Sequence, residues 1–198
     1  MCAQLTLFES TGGILTDDER GRIAYTPRFI DTATADAWFI EIRDGVEWRA
    51  LRRTMYEKEV DVPRLIASYR LAPLHDSVLP ALRDAARRVI DAVGAPFNSI
   101  GLNRYRDGHD SVAPHNDHLD ELVEGSPIAL VSLGATRRMI IRAKRPPRDT
   151  LHVDLEPGSL LVMSYATQIH YTHGVPKVAE PVGERISLAF RVKPSSAK

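Results

Sequence analysis

In the stretch Ala113-Pro-His-Asn-Asp117, His115 and Asp117 stand two residues apart. On an extended segment both side chains therefore leave from one face and can reach one ion. An imidazole and a carboxylate offer a divalent first-row metal one neutral and one charged donor, and a third donor is needed to hold it firmly. The segment Gln168 to Pro176 supplies two further histidines, His170 and His173, and spacing alone admits either. Shortly after it comes Arg185-Ile-Ser-Leu-Ala-Phe-Arg191, whose arginines are six apart and so share one face of a strand. Two histidines and one carboxylate form a facial set that leaves coordination positions open for oxygen chemistry. The planar guanidinium forks suit the two ends of a dicarboxylate co-substrate.

Such donors must be placed by rigid elements, and the second half of the chain reads as strands. Phe97 to Tyr105, Ile128 to Gly134, Arg138 to Arg142, Leu151 to Leu155, Ser159 to Met163 and Ile186 to Val192 are short runs rich in β-branched residues. Turn signals such as Arg106-Asp-Gly108 and Glu156-Pro-Gly158 separate them. The first half is more helical. Asp31 is placed to cap a helix over Thr32 to Arg43, and Ser77 to cap a second through Val93, closed by Gly94. In that second helix Leu79, Leu82, Ala86, Val89, Ile90 and Val93 fall at helical spacing and predict core packing. Ile23 to Tyr25 and Trp48 to Met55 read as extended, as does Pro63 to Tyr69, a strand opened by its proline. Helices followed by many short strands predict an α+β fold, a double-sheet jelly roll with N-terminal helices packed against one sheet.

The 198 residues suffice for one domain with a sizeable core, 1–198, and too few for two ordinary ones. Its roll spans about 97–192, with 1–13 and 194–198 loosely ordered and Leu5, Leu7 and Phe8 docking on the surface. Lys and Arg total 26 against 26 Asp and Glu, which argues against broad electrostatic adhesion to nucleic acid or membrane and leaves room for a local patch. The one cysteine, Cys2, excludes an intrachain disulfide and a cysteine metal site. No apolar run is long enough to span a bilayer. A cytoplasmic monomer is expected.

Several blocks in one order resemble the AlkB-type Fe(II)/2-oxoglutarate-dependent dioxygenases. They are Phe97-Asn-Ser-Ile-Gly-Leu-Asn-Arg-Tyr-Arg-Asp-Gly-His-Asp-Ser-Val112, Pro114-His-Asn-Asp117, Ser132-Leu-Gly134, Gly158-Ser-Leu-Leu-Val-Met163, Ala166-Thr-Gln168, His173-Gly-Val-Pro176 and the Arg185 to Arg191 run. The resemblance implies a double-stranded β-helix and Fe(II) held by His115, Asp117 and His173. The Gly-Val-Pro after His173 matches the family's distal-histidine block and favours it over His170. It also implies 2-oxoglutarate bound by Asn103, Tyr105, Arg185 and Arg191, with O2 as the second co-substrate. The activity implied is oxidative demethylation of alkylated bases in DNA or RNA, with single strands preferred because a duplex base must first be extruded. One departure stands out. Base-repairing members commonly carry an acidic residue just past His-x-Asp, whereas this chain reads His118-Leu119-Asp120, and the segment Arg70 to Asp76 looks short for a substrate-gripping hairpin. The same oxygenase chemistry on a protein side chain or small molecule is therefore the alternative. Arg137, Arg138, Arg142, Lys144, Arg145 and Arg148 form the densest basic segment, the candidates for phosphate contacts. His109, His118 and His152 are read as surface or supporting residues.

Overall fold

The computed structural model describes residues 12–55, 58–71 and 78–194, with the backbone alone described at 51–55 and 58–61. The expectations for Leu5, Leu7, Phe8 and Ser77 lie outside these residues, as does most of Arg70 to Asp76. In chain order the elements are β1 (Gly13–Asp18), β2 (Gly21–Thr26), α1 (Thr32–Gly45), β3 (Arg49–Met55), β4 (Lys58–Arg70), α2 (Pro80–Val93) and β5 (Ser99–Tyr105). There follow β6 (Val112–His115), β7 (Ile128–Gly134), β8 (Arg137–Ala143), β9 (Thr150–Leu155), β10 (Leu160–Met163), α3 (Tyr165–His170), β11 (Tyr171–Val175) and β12 (Arg185–Arg191).

The strands form an antiparallel sheet of eight, ordered β1-β2-β10-β7-β12-β5-β4-β3, and one of four, ordered β6-β11-β8-β9. Alternation along β12 sorts the molecule into two cores. Ile186, Leu188 and Phe190 join a cluster with Trp38 and Ile42 of α1 and Leu82, Ala85 and Val89 of α2, so both helices cover the outer face of the large sheet. Ala189 instead joins Leu130, Leu161, Met139, Ile141, Val153 and Tyr171 in a second cluster between the two sheets. The expected jelly roll with helices against one sheet is therefore what this chain forms. The inner face of β12 reads Arg185, Ser187, Ala189, Arg191, and the first three of these are buried. Polar residues on a strand covered on both faces mark the functional interior.

The helix ends show where local signals suffice. Asp31 caps α1 as expected, its carboxylate accepting from the Thr34 N–H at 2.9 Å and the Thr34 hydroxyl at 2.7 Å. For α2 the start differs: Pro80 opens the helix, Leu79 gives no side-chain cap, and Glu41 of α1 accepts from the Ala81 N–H at 3.0 Å. A carboxylate from a packed neighbour thus does the work of a local cap, at the positive end of the helix dipole. Pro63 does not open its strand. It lies within β4, where pairing steps from Ala50↔Leu65 to Arg52↔Asp61, a bulge that needs no ladder N–H there. Its carbonyl instead accepts from the Ser111 N–H at 2.8 Å. β5 pairs with β4 only over Leu65 to Arg70, so the outer part of the β3–β4 hairpin projects beyond it. A long hairpin does exist, earlier in the chain than Arg70 to Asp76.

Leu82 is fully buried at the centre of the helix-facing core. Leu82→Ala is expected to destabilise the fold by about 2–5 kcal/mol in urea unfolding, the range for a large-to-small core change. A loss below about 1 kcal/mol would show that α2 is not integral to that core.

Candidate active site

β6 and β11 pair so that His115 lies opposite His173, with ring centroids 4.5 Å apart. Asp117 sits two residues beyond the end of β6, and a donor atom from each of His115, Asp117 and His173 lies within 4.8 Å of the others. His170, at the end of α3, is not in this group. Gly174 makes the approach of the two strands possible: a Cβ there would stand 2.8 Å from the Val112 carbonyl oxygen and 3.0 Å from the Pro114 nitrogen. Any side chain would push β6, and His115 with it, away from His173.

The donors are held in the protonation states a metal requires. Burial alone would raise the Asp117 pKa. Arg191 outweighs it, donating from Nε at 2.7 Å and Nη2 at 3.1 Å, and holds the carboxyl below its ordinary range. Burial, and then the neighbouring His115, push His173 down to about 4, so its imidazole is neutral at physiological pH. A buried chain of hydrogen bonds fixes the backbone of the carboxylate ligand. Thr167 Oγ1 donates to the Ser164 carbonyl at 2.6 Å, Gln168 Nε2 donates to Thr167 Oγ1 at 3.0 Å, and the Asp117 N–H donates to Gln168 Oε1 at 3.0 Å. Lys144 Nζ anchors the same helix through the Gln168 carbonyl at 2.9 Å.

Across the roll, Arg185 lies opposite Tyr105 and Ser187 opposite Asn103. Arg185 is 1% exposed; its Nε donates to Ser132 Oγ at 2.8 Å, and its Cζ lies 5.0 Å from the Tyr105 ring centroid. Both of its Nη atoms are buried and have no hydrogen-bond partner among the described residues. Arg191 differs from expectation. Its Nε and Nη2 serve Asp117, and Nη1 reaches only the Ala189 carbonyl at 3.4 Å. Gly101 leaves it room, since a Cβ there would meet Arg191 Nη1 at 3.2 Å. The two arginines share a face but divide the labour, one pairing with Asp117 and the other buried beside Tyr105 and Ser132. Asn103 Oδ1 accepts from Arg64 Nε at 2.6 Å.

The basic segment also divides. Arg137 is 2% exposed and is spent on the carbonyls of Asp107, Asp110 and Pro176 at 2.7–2.9 Å. Arg138 grips Asp154 with two bonds of 2.7 Å, and Lys144 is taken by Gln168. Within this segment, Arg142, Arg145 and Arg148 remain exposed and free to meet a phosphate. His109, His118 and His152 are exposed, as expected. Sequence reasoning missed Gln168 and Arg64 as site residues. Gln168 lay within a motif, but its partner is a backbone group 51 positions away.

The donor set fits Fe(II). Two imidazoles and one carboxylate whose donor atoms converge are the facial arrangement of non-haem iron oxygenases, and the two Arg185 Nη atoms, without a partner among the described residues, offer a fork to a carboxylate. The chain matches the 2OG-Fe(II) oxygenase superfamily over residues 22–191. It is 36% identical over 179 residues to the DNA oxidative demethylase ALKBH2 of Mus musculus, covering 80% of this chain and 75% of that one. With the Homo sapiens ALKBH2 the identity is 35% over 188 residues, covering 85% and 72%. With the Homo sapiens alpha-ketoglutarate-dependent dioxygenase alkB homolog 3 it is 33% over 190 residues, covering 86% and 65%. The solved structure of OsALKBH1 superposes with a TM-score of 0.61 at 15% identity, covering 90% of this chain and 99% of that one, a likeness of fold.

His173→Ala should abolish tight Fe(II) or Mn(II) binding in a metal titration while His170→Ala retains it. The reverse pattern would reassign the third ligand. Gln168→Leu, which strands the Asp117 N–H, should weaken metal binding roughly 10–100-fold, the usual effect of losing a group that orients a ligand. Unchanged affinity would remove Gln168 from the site.

Proposed function

The chain belongs to the 2OG-Fe(II) oxygenase superfamily and, within it, to the AlkB-type dioxygenases; on that premise we propose that it oxidatively demethylates alkylated bases in single-stranded DNA or RNA. It is a 2-oxoglutarate-dependent dioxygenase that uses Fe(II), 2-oxoglutarate and O2. The observation that carries the assignment of roles is Arg185, a buried guanidinium whose two Nη atoms have no hydrogen-bond partner among the described residues, in the same roll as His115, Asp117 and His173.

His115, Asp117 and His173 hold the iron, and Arg185 with Tyr105 receives the remote carboxylate of 2-oxoglutarate. Asn103 donates to the co-substrate from the next inner position of β5, and Arg191 keeps Asp117 ionised and aligned. Fe(II) held there would supply the oxidative chemistry in which 2-oxoglutarate and O2 give succinate and CO2, one oxygen atom of O2 entering succinate and the other a substrate C–H bond. On an N-methyl group the product is an N-hydroxymethyl, which releases formaldehyde and the unmodified base. Because Asp117 is already ionised and His173 already neutral, metal loading need not displace a proton from either one at neutral pH.

The relatives named as DNA oxidative demethylases support the substrate class. The exposed trio Arg142, Arg145 and Arg148, at the end of β8 and in the turn after it, supports a path for phosphates on that surface. Single strands suit the site because extruding a duplex base costs a few kcal/mol.

Formaldehyde and succinate should form in equal amounts from methylated single-stranded oligonucleotides. Replacing Arg142, Arg145 and Arg148 by Gln should weaken binding to every sequence alike and flatten its salt dependence, since phosphate contacts carry no base information. Succinate release that no oligonucleotide stimulates, with binding indifferent to salt, would overturn the nucleic-acid reading in favour of a protein or small-molecule substrate.

A further inference from the structure

We propose that Arg64 is a positioning residue for the co-substrate: it locks the Asn103 side-chain amide in one of its two orientations, with the nitrogen left to donate into the 2-oxoglutarate pocket. This rests on the reading that 2-oxoglutarate lies against Arg185 and Tyr105. An asparagine amide presents an acceptor and a donor of nearly equal size, and rotation by half a turn exchanges them. A guanidinium can only donate. With Arg64 Nε 2.6 Å from Asn103 Oδ1, the flipped amide would set N–H against N–H, losing a charge-assisted hydrogen bond and opposing two donors.

The placement on the sheet decides which way the free end faces. On β5, Asn103 is two residues from Tyr105, so both side chains leave on the inner face. Its neighbour on β4 is Ile66 and its neighbour on β12 is Ser187. Arg64 stands two residues before Ile66 and so shares that face. It approaches from the β4 side, leaving the amide nitrogen to face the β12 side, where Arg185 and Ser187 lie. That nitrogen donates no hydrogen bond to this chain among the described residues. A carboxylate or keto oxygen in the pocket therefore always meets a donor at Asn103 and never the repelling carbonyl. Arg64 also sits at the base of the projecting β3–β4 hairpin, a place where neither a ligand spacing nor the family blocks would have marked it.

The test is a double-mutant cycle on 2-oxoglutarate affinity, measured by calorimetry on the Mn(II)-loaded protein, which binds without turnover. Arg64→Met and Asn103→Ala should each weaken 2-oxoglutarate binding roughly threefold to tenfold, and Mn(II) affinity should be unchanged in both. Combining them should weaken binding no further than Asn103→Ala alone, because Arg64 acts through that amide. Arg64→Lys, which displaces the donor but keeps the charge, carries the same comparison if Arg64→Met does not fold. Unchanged affinity in the Arg64 variant, or a double variant whose loss is the product of the two single losses, would overturn the proposal while leaving the co-substrate assignment standing. Failure of the wild-type protein to bind 2-oxoglutarate would instead remove that assignment, and the proposal with it.

Discussion

A fully buried guanidinium is the constraint around which the interior of this protein is arranged. Taking an arginine out of water without a counter-charge is strongly unfavourable, and a fold retains one only where something else supplies the anion. Arg185 has a neutral hydroxyl, Ser132 Oγ, on its Nε and the face of Tyr105 beside it, and it forms no ion pair with a carboxylate among the described residues. It is held there by β12, which pairs with β5 on one side and β7 on the other and leaves its outer face to the helices. Such a charge is a binding site before any ligand arrives. On the function proposed above, a small dicarboxylate with one end on this fork and the other near the metal would complete it.

The metal end obeys a different constraint, the spacing of two strands. His115 and His173 face one another because β6 and β11 pair there, and they pair so closely because residue 174 has no side chain. Asp117 lies beyond the strand and would wander without help. Arg191 aligns its carboxylate and Gln168 fixes its backbone, so the donors are placed by elements from both sheets. The arrangement is preorganised in charge as well as position, with the carboxylate ionised and the buried imidazole neutral.

Much of this was legible in the chain, and the parts that were not share a physical reason. The β12 strand, the Asp31 cap, the Gly94 stop and the His-x-Asp pair are local patterns, readable because their partners lie within a few residues. Choosing His173 over His170 needed the residues that follow it, since spacing alone does not separate them. What escaped was decided by contacts between distant segments. Glu41 caps a helix forty residues on, Arg191 turns to Asp117 seventy-four residues back, and Arg137 and Lys144 are consumed by carbonyls. Within one basic run, hydrogen bonds and ion pairs to distant residues separated structural cations from those free to meet a phosphate, and composition carries no trace of that division.

The dependence of the interior on one unpaired charge is tested most directly by thermal melting of wild-type and Arg185→Met protein, each with Mn(II), with and without 2-oxoglutarate. Removing an uncompensated buried cation should leave the ligand-free variant as stable as the wild type or more so. Added 2-oxoglutarate should raise the Tm of the wild type, as a ligand of the folded state must, and leave that of the variant unmoved. A variant that melts lower yet is still stabilised by 2-oxoglutarate to the wild-type extent would contradict the role given to Arg185.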